Sequence, residues 1–333
     1  MMQQMLLGLG GLPDPVYVDD VFKTQLYSGN SSSQSINNGI DLDGKGGLVW
    51  LKNRSTSTQY TQSSYHHWYD TNRLVGRRIS SNNDDYQWND SGSGITSFNS
   101  NGFSFSNNFF SNQNYVNYVS WTFRKQKGFF DVVTYTGDSS SANQTFNHSL
   151  DSVPGMVIIK NLSRASDWYV WVPDSIKTTE GTLNTDDDFG SQVIGTVTST
   201  TVQTLYTNQT ATNRNGDNYV CYLFGSDDAR FGADRDESII KVGSYNGNNS
   251  NRTINTGFKP GFVMIKTLTS TDNWVIFDNQ RGTNELDANR TSVDDPASDK
   301  FGGFSSSGFN LVGGNGATNS SQTYMYMAIR EGL

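Results

Sequence analysis

Cysteine is almost missing from this 333-residue chain, which contains only Cys221. An internal disulfide is therefore impossible, and Cys221, which lies in an aromatic run, is expected to pack as a small apolar residue rather than to act as a nucleophile. Long apolar runs are missing too, since none approaches the roughly 20 residues that a membrane-spanning helix needs. Membrane insertion is therefore not expected.

Basic residues are also in deficit. Lys and Arg together number 24, against 32 Asp and Glu, which leaves a net charge of −8. Binding to a nucleic-acid backbone requires a clustered Lys and Arg surface, which this composition does not provide. The charge balance argues against a nucleic-acid partner.

Motifs of catalysis and cofactor binding are missing as well. The sequence has no Gly-rich phosphate loop, no Gly-x-Ser-x-Gly elbow, no Cys-x-x-Cys and no His-Glu-x-x-His. His66, His67 and His148 lack the spacing of a metal or triad motif, and His66 with His67 is interpreted as a surface pair. The sequence predicts a protein that is not an enzyme, has no cofactor and has no assigned metal site.

Two acidic clusters leave one alternative open. The segments 186–188 and 234–237 could supply oxygen ligands to calcium, but neither has the spacing of an EF-hand loop. Solvated turns are the favoured interpretation of both.

Polar turn formers and aromatic residues are what the chain has in abundance. Asn, Ser, Thr and Gly separate short runs rich in Val, Ile, Tyr, Phe, Trp and Thr, and no stretch of ten residues has a convincing helical period. This composition favours many short strands joined by polar turns. In the first third of the chain, strands are predicted at 21–27, 34–38, 48–53, 66–70, 95–99, 103–106 and 115–124.

The dominant feature is a pattern that occurs three times. Lys52, Lys160 and Lys266 each end a short apolar run, in the strings GLVWLK, PGMVIIK and PGFVMIK. Their period of roughly 105 residues is far too long for a solenoid and matches one compact unit per copy. Each copy also closes on an aromatic run, at 118–123, 219–224 and 324–329.

The fold expected from this pattern is all-β, with three tandem antiparallel β-sandwiches of jelly-roll or lectin type. The repeats are assigned to 21–128, 129–235 and 236–333, and the short linkers between them predict a stiff array. The apolar run before Lys160 does not alternate, which indicates a central strand that is covered on both faces.

Residues 1–20 precede the first repeat and are interpreted as an extended N-terminal arm. The arm is rich in Met and Leu, and Pro13 and Pro15 prevent a helix from continuing. Exposed apolar side chains of this kind mark interfaces, so the arm is expected to anchor the protein to a neighbouring subunit. A short arm folded back over repeat one is the alternative. The residues expected to carry the anchoring are Met5, Leu6, Leu7, Leu9 and Leu12.

An Asp-x-x-Arg pair occurs in the first and third copies. Asp70 with Arg73 and Asp278 with Arg281 follow the same aromatic anchor, and Asp174 with Lys177 is a weaker match in the middle copy. Recurrence at a fixed place favours a structural clamp over ligand binding, with the Arg reaching a carboxylate or turn carbonyls.

Aromatic residues in unmatched loops are the candidates for recognition. Tyr86 and Trp88 lie in the segment 82–90, which the other copies are expected to lack, and they are possible glycan-binding residues. Trp68, Trp168 and Trp171 are further aromatics that this hypothesis expects at the surface.

Several segments resemble a family of β-rich repeats in virion proteins of tailed phages, common among phages of marine bacteria. The segments that carry the resemblance are 3–10, 39–52, 118–125, 128–137, 149–155 and 219–224, so that it extends over nearly the whole chain. The family implies a structural role in the virion, usually in the tail or tail fibre. It supplies no catalytic residues.

The function that the resemblance implies is a non-enzymatic phage structural protein, anchored by its N-terminal arm and projecting toward the host. Its expected location is the phage tail or the virion surface, after synthesis in the host cytoplasm. The expected partners are other tail or capsid subunits, further copies of the chain and a host surface glycan. The alternatives are a carbohydrate-binding host-recognition adhesin and a capsid decoration or fibre protein.

Overall fold

Short β-branched and aromatic runs between polar turns produce a chain made almost entirely of strands. In the computed structural model, the described residues are 14–55, 64–90, 92–107, 110–138, 143–206 and 209–332. They form 26 strands and one helix, α1 (Val18–Val21), and the paired strands run antiparallel in several separate sheets. The prediction of an all-β, sandwich-type fold is confirmed.

The first group of strands forms two sheets. A six-stranded sheet has the order β1-β9-β3-β4-β5-β6, and a three-stranded sheet has the order β2-β8-β7. The strands are β1 (Phe22–Ser28), β2 (Gln34–Asn37), β3 (Gly47–Asn53), β4 (His66–Asp70), β5 (Arg77–Ser80), β6 (Trp88–Asn89), β7 (Ile95–Asn99), β8 (Gly102–Phe105) and β9 (Asn117–Arg124).

The second group repeats this plan with one edge strand fewer. Its sheets have the orders β10-β17-β12-β13-β14 and β11-β16-β15. The strands are β10 (Phe130–Thr136), β11 (Gln144–Asn147), β12 (Met156–Asn161), β13 (Tyr169–Trp171), β14 (Gly181–Thr182), β15 (Ile194–Val197), β16 (Thr201–Thr204) and β17 (Asn218–Phe224).

The third group has the same plan as the first. Its sheets have the orders β18-β26-β20-β21-β22-β23 and β19-β25-β24. The strands are β18 (Ile240–Asn246), β19 (Arg252–Asn255), β20 (Pro260–Thr267), β21 (Val275–Asp278), β22 (Asn284–Asp287), β23 (Asp295–Pro296), β24 (Phe301–Ser305), β25 (Gly308–Leu311) and β26 (Thr323–Arg330). The three groups are called repeats 1, 2 and 3.

The three lysines occupy equivalent places in these sheets. Lys52 on β3, Lys160 on β12 and Lys266 on β20 each pair with the third residue of the strand that closes the repeat. All residues of β3, β12 and β20 are buried, as expected for strands that are covered on both faces.

Each large sheet is covered on one face by the small sheet of its own repeat and on the other face by the neighbouring repeats. Three separate apolar clusters lie inside repeats 1, 2 and 3. A fourth cluster, called the shared core, takes residues from all three and includes Trp50, Trp68, Trp121, Trp168, Tyr222, Met264, Trp274 and Met327. The large sheets are therefore the middle layers of the molecule.

The repeats close into a ring around the shared core instead of forming the expected stiff string. In repeat 1, β1 and β3 end where β4 and β9 begin, and the corresponding strands of the other repeats follow the same directions. We call this edge of the ring the loop end. The opposite edge, called the termini end, holds α1, the linkers between repeats and the last described residues.

The end of the expected N-terminal arm belongs to the folded body. Val18 and Val21 on α1 are buried in the shared core, and the Val16 carbonyl accepts a hydrogen bond from Gly232 N at 3.0 Å. Residues 16–20 are thus part of the ring, which corrects the assignment of 1–20 as an extended segment. The predicted anchoring residues Met5, Leu6, Leu7, Leu9 and Leu12 lie outside the described residues.

Candidate functional site

The three junctions between repeats are each crossed by a buried lysine near the loop end. The Lys160 ammonium donates to the Asp84 carbonyl of repeat 1 at 3.1 Å, and the Lys266 ammonium donates to the Asp186 carbonyl of repeat 2 at 2.9 Å. The Lys52 ammonium donates to the Thr291 carbonyl of repeat 3 at 3.3 Å, so that each repeat is linked to the other two.

Each lysine also bonds within its own repeat. The acceptors are the carbonyls of Ser64 for Lys52 at 2.7 Å, Ser166 for Lys160 at 2.9 Å and Asp272 for Lys266 at 2.6 Å. Each side chain therefore joins a backbone segment of its own repeat to a backbone segment of a neighbouring repeat. The repeated lysine of the sequence is a junction residue.

Burial disfavours the charged form of these lysines. It lowers the pKa of Lys52 to about 7 and the pKa values of Lys160 and Lys266 to about 8, from an ordinary value of 10.5. Desolvation is the first cause in each case, and nearby acidic residues such as Asp294 and Asp84 oppose it.

We expect the free energy of unfolding to rise as the pH is raised from about 8 to about 9.5. In this window the unfolded lysines still hold their protons while the folded ones release them, so the unfolded state binds more protons. Below the folded pKa values all three stay charged in both states, and the full cost of burying the charges remains. Melting temperatures at several pH values check this.

Lys160→Met should reduce that dependence of stability on pH, and replacement of the exposed Lys45 by Met should not. Stability that stays level or falls between those pH values in the wild-type protein would contradict the assignment.

At the termini end, the junction between repeats 1 and 2 contains the first Asp-x-x-Arg pair. Arg73 Nε donates to Asp70 Oδ2 at 2.6 Å, and Arg73 Nη2 donates to the Trp68 carbonyl at 3.1 Å. Both side chains are almost fully buried. Tyr222 of repeat 2 donates its hydroxyl to the same Asp70 oxygen at 2.7 Å, so the pair also holds the neighbouring repeat.

The junction between repeats 3 and 1 is built in the same way. Arg281 Nε donates to Asp278 Oδ2 at 2.7 Å and Arg281 Nη2 to the Ile276 carbonyl at 3.2 Å, with both side chains fully buried. Trp121 of repeat 1 donates its indole N–H to Asp278 Oδ2 at 3.0 Å. Both pairs therefore have the geometry expected of a structural clamp.

The third junction, between repeats 2 and 3, has apolar residues at these positions. Strand pairing places Val172 at the position of Asp70 and Asp278, and Met327 at the position of Tyr222 and Trp121. Both are fully buried. The supposed weaker match, Asp174 with Lys177, is wrong because it is displaced by two residues from the equivalent place.

The expectation of a surface histidine pair is wrong. His66 and His67 are buried, and Trp50 Nε1 donates to His66 Nδ1 at 2.8 Å. Burial, and then the charge of Lys52, lower the pKa of His66. The pair was misassigned because both faces of β4 are covered.

Two of the tryptophans expected at the surface belong to the shared core instead. Trp68 and Trp168 are fully buried and pack with ring centroids 5.2 Å apart, across the junction between repeats 1 and 2. Trp171 alone of the three is partly exposed.

Tyr86 and Trp88 form a stacked pair at the surface, with ring centroids 5.9 Å apart and planes 9° from parallel. Tyr86 is 49% exposed. Their segment does have a counterpart, because β22 pairs with β23 in repeat 3 as β5 pairs with β6. The segment also contributes to a junction, since Gln87 N donates to the Leu162 carbonyl at 3.1 Å.

The acidic segment 186–188 contributes a backbone group, the Asp186 carbonyl, to the lysine junction. Within the part of the chain that the structure describes, no group of three or more His, Cys, Asp and Glu side chains could hold a metal ion. Cys221 is fully buried, and burial raises its pKa well above the ordinary value, which confirms its assignment as a packing residue. No helix in the described ranges is long and apolar enough to cross a membrane.

The loop end presents a polar surface. The segments that begin at the last residues of β1, β10 and β18 read SGNSSS (28–33), TGD (136–138) and NGNNSN (246–251). Tyr115, between β8 and β9, is 92% exposed and has a positive φ of 61°. This end therefore offers many hydroxyl and amide groups to a partner.

A comparison with protein families finds one match, to a model described as a domain of unknown function (DUF7483), over residues 18–332. No curated protein and no solved structure matches the chain.

Proposed function

This chain belongs to the DUF7483 family, whose model covers residues 18–332, and we propose that it serves as a non-enzymatic structural protein of a phage virion, in the tail or tail fibre. In this role the segment before residue 14 attaches the protein to another virion subunit, and the ring projects toward the host.

The observation that carries this proposal is the arrangement of the two ends. The chain enters the ring through α1 at the termini end, beside the linkers and beside Gly332, which lies against Asp19. The Ser- and Asn-rich connections lie at the opposite end. An entry point of the chain at one end and polar loops at the other suit a protein that is attached through its N-terminal segment and exposed at its tip.

The threefold plan of the ring offers a second argument. Virion fibres are commonly trimeric, and three equivalent repeats in a ring can meet three equivalent subunits. Such a match would repeat each contact three times, which raises the avidity of a weak contact. A capsid decoration protein placed on a threefold axis would make the same three contacts. The tail location is therefore a part of the proposal.

Deletion of residues 1–13 tests the anchoring role. We expect virions from a phage that encodes the shortened chain to lack the protein, because the apolar segment is lost. The purified shortened protein should melt like the full-length chain, since the deletion ends before Val16 and α1. Immunoblotting of purified virions and thermal melts measure the two effects.

Virions that still carry the shortened protein would contradict the anchoring role. Immunoelectron microscopy of the full-length protein separates a tail from a head location, and absence from every purified virion would overturn the structural role itself.

A host-recognition adhesin is the second candidate, favoured by the surface stack of Tyr86 and Trp88. Paired aromatic rings are common saccharide platforms, since sugar C–H groups pack on their faces. The Arg78 guanidinium lies over the Trp88 ring, 5.9 Å from its centre.

A further inference from the structure

We propose that repeat 2 carries a binding groove for a neutral saccharide, between Trp171 and the β15–β16 hairpin. The groove has a volume of about 500 Å³, and its polar lining includes Asp174, Thr178, Glu180, Gln192 and Gln203. This inference does not rest on the virion role, and it concerns a different surface from the Tyr86 and Trp88 stack.

The groove exists because the indole ring of Trp171 is left uncovered in repeat 2. Strand pairing makes Trp171 the counterpart of Tyr69 in repeat 1 and Phe277 in repeat 3. Tyr69 is 1% exposed and Phe277 is fully buried, whereas Trp171 is partly exposed. This position therefore holds a core residue in repeats 1 and 3 and a surface residue in repeat 2.

The uncovering follows from smaller residues on the hairpin. Val197 stands where repeats 1 and 3 have Phe98 and Phe304, and Thr204 stands where they have Phe105 and Leu311. In repeat 3 the ring of Phe277 is covered by Phe301 at a centroid distance of 4.1 Å, and Phe304 packs on Phe301 at 5.0 Å. Their counterparts in repeat 2 are the smaller Ile194 and Val197. The smaller hairpin side chains of repeat 2 leave the corresponding space open.

The lining suits a sugar without charge. A tryptophan face packs on the C–H groups of a pyranose ring, and the amides of Gln192 and Gln203 can both donate to and accept from hydroxyls. Asp174 supplies a carboxylate for charge-assisted hydrogen bonds from hydroxyls. None of the described residues that line the groove is Lys or Arg, so an acidic sugar would find no cationic partner there.

Glu180 makes the groove rigid. Glu180 is 2% exposed, and its carboxyl oxygens accept hydrogen bonds from Val193 N at 3.0 Å and Ile194 N at 3.2 Å, at the base of the hairpin. The hairpin is therefore held in place before a ligand arrives, which lowers the entropy cost of binding.

A glycan array probed with the full-length protein tests the groove, followed by titration of the best neutral hit. We expect Trp171→Ala to weaken binding about tenfold or more, because the stacking face is lost. Val197→Phe should weaken it similarly, since it restores the phenylalanine that fills this space in repeats 1 and 3. Leu74→Ala is the matched control and should leave the affinity unchanged, because it removes an exposed apolar side chain of repeat 1 that lies outside the groove.

Val197→Phe also guards against misfolding, because it adds a residue that the fold already accepts at two equivalent positions. An array with no neutral hit, hits confined to acidic sugars, or equal binding by Trp171→Ala would overturn the proposal. Incorporation of the protein into virions is measured separately and is unaffected by either result.

Discussion

Arg281→Met is expected to lower the free energy of unfolding by about 3–5 kcal/mol, the usual cost of leaving one partner of a buried ion pair alone. The Asp278 carboxylate would keep only the Trp121 indole and backbone N–H donors, with its side chain fully buried. Denaturation in urea, followed by tryptophan fluorescence, measures the loss.

The double variant Asp278→Val with Arg281→Met is the matched control. It should recover part of the loss, because removal of both charges leaves no unpaired ion, although the Trp121 N–H then lacks its acceptor. The chain itself accepts valine at this place, as Val172 in repeat 2. Wild-type stability in Arg281→Met, or a double variant less stable than the single one, would contradict the clamp.

A single repeat produced alone is expected not to remain a folded monomer. In repeat 3, for example, one face of the large sheet would present Met264, Trp274 and Met327 to water, although all three are buried in the ring. Exposed apolar surface of this extent leads to association or unfolding. Size-exclusion chromatography with light scattering and circular dichroism of residues 236–332 give the answer.

A circular permutant provides the control for that experiment. A chain that begins at Phe130, with Gly332 joined to Val16 by a short flexible linker, keeps every junction and should fold as a monomer. A folded, monomeric single repeat would contradict the dependence of each repeat on its neighbours.

The fold class and the repeated strand plan were predictable because they depend on local sequence patterns. The predicted strands 66–70 and 95–99 agree with β4 and β7 in both bounds. The strands β5 and β6 were missed, since they have four and two residues and include charged Arg77 and Arg78. The four-residue helix α1 is too short to establish a helical period.

The placement of the aromatic residues was not predictable in the same way. Trp68 on β4 and Trp168, just before β13, pack on partners from another repeat, about a hundred residues away, and no local pattern specifies such a partner. The one available signal was the recurring lysine, because a charged residue inside a fully apolar strand needs fixed acceptors. The clamp pairs were easier, since Asp and Arg three residues apart contact each other within one turn.

The covalent connection of the three repeats has an evolutionary consequence. In a homotrimer of identical subunits, a substitution appears at all three interfaces at once, so a change that harms one contact harms every contact. Here a mutation alters one repeat only, and the other two repeats keep the assembly intact while the altered repeat accumulates changes. Val172 of repeat 2 with Met327 of repeat 3, and the reduced hairpin beside Trp171 in repeat 2, differ from the other copies in this way.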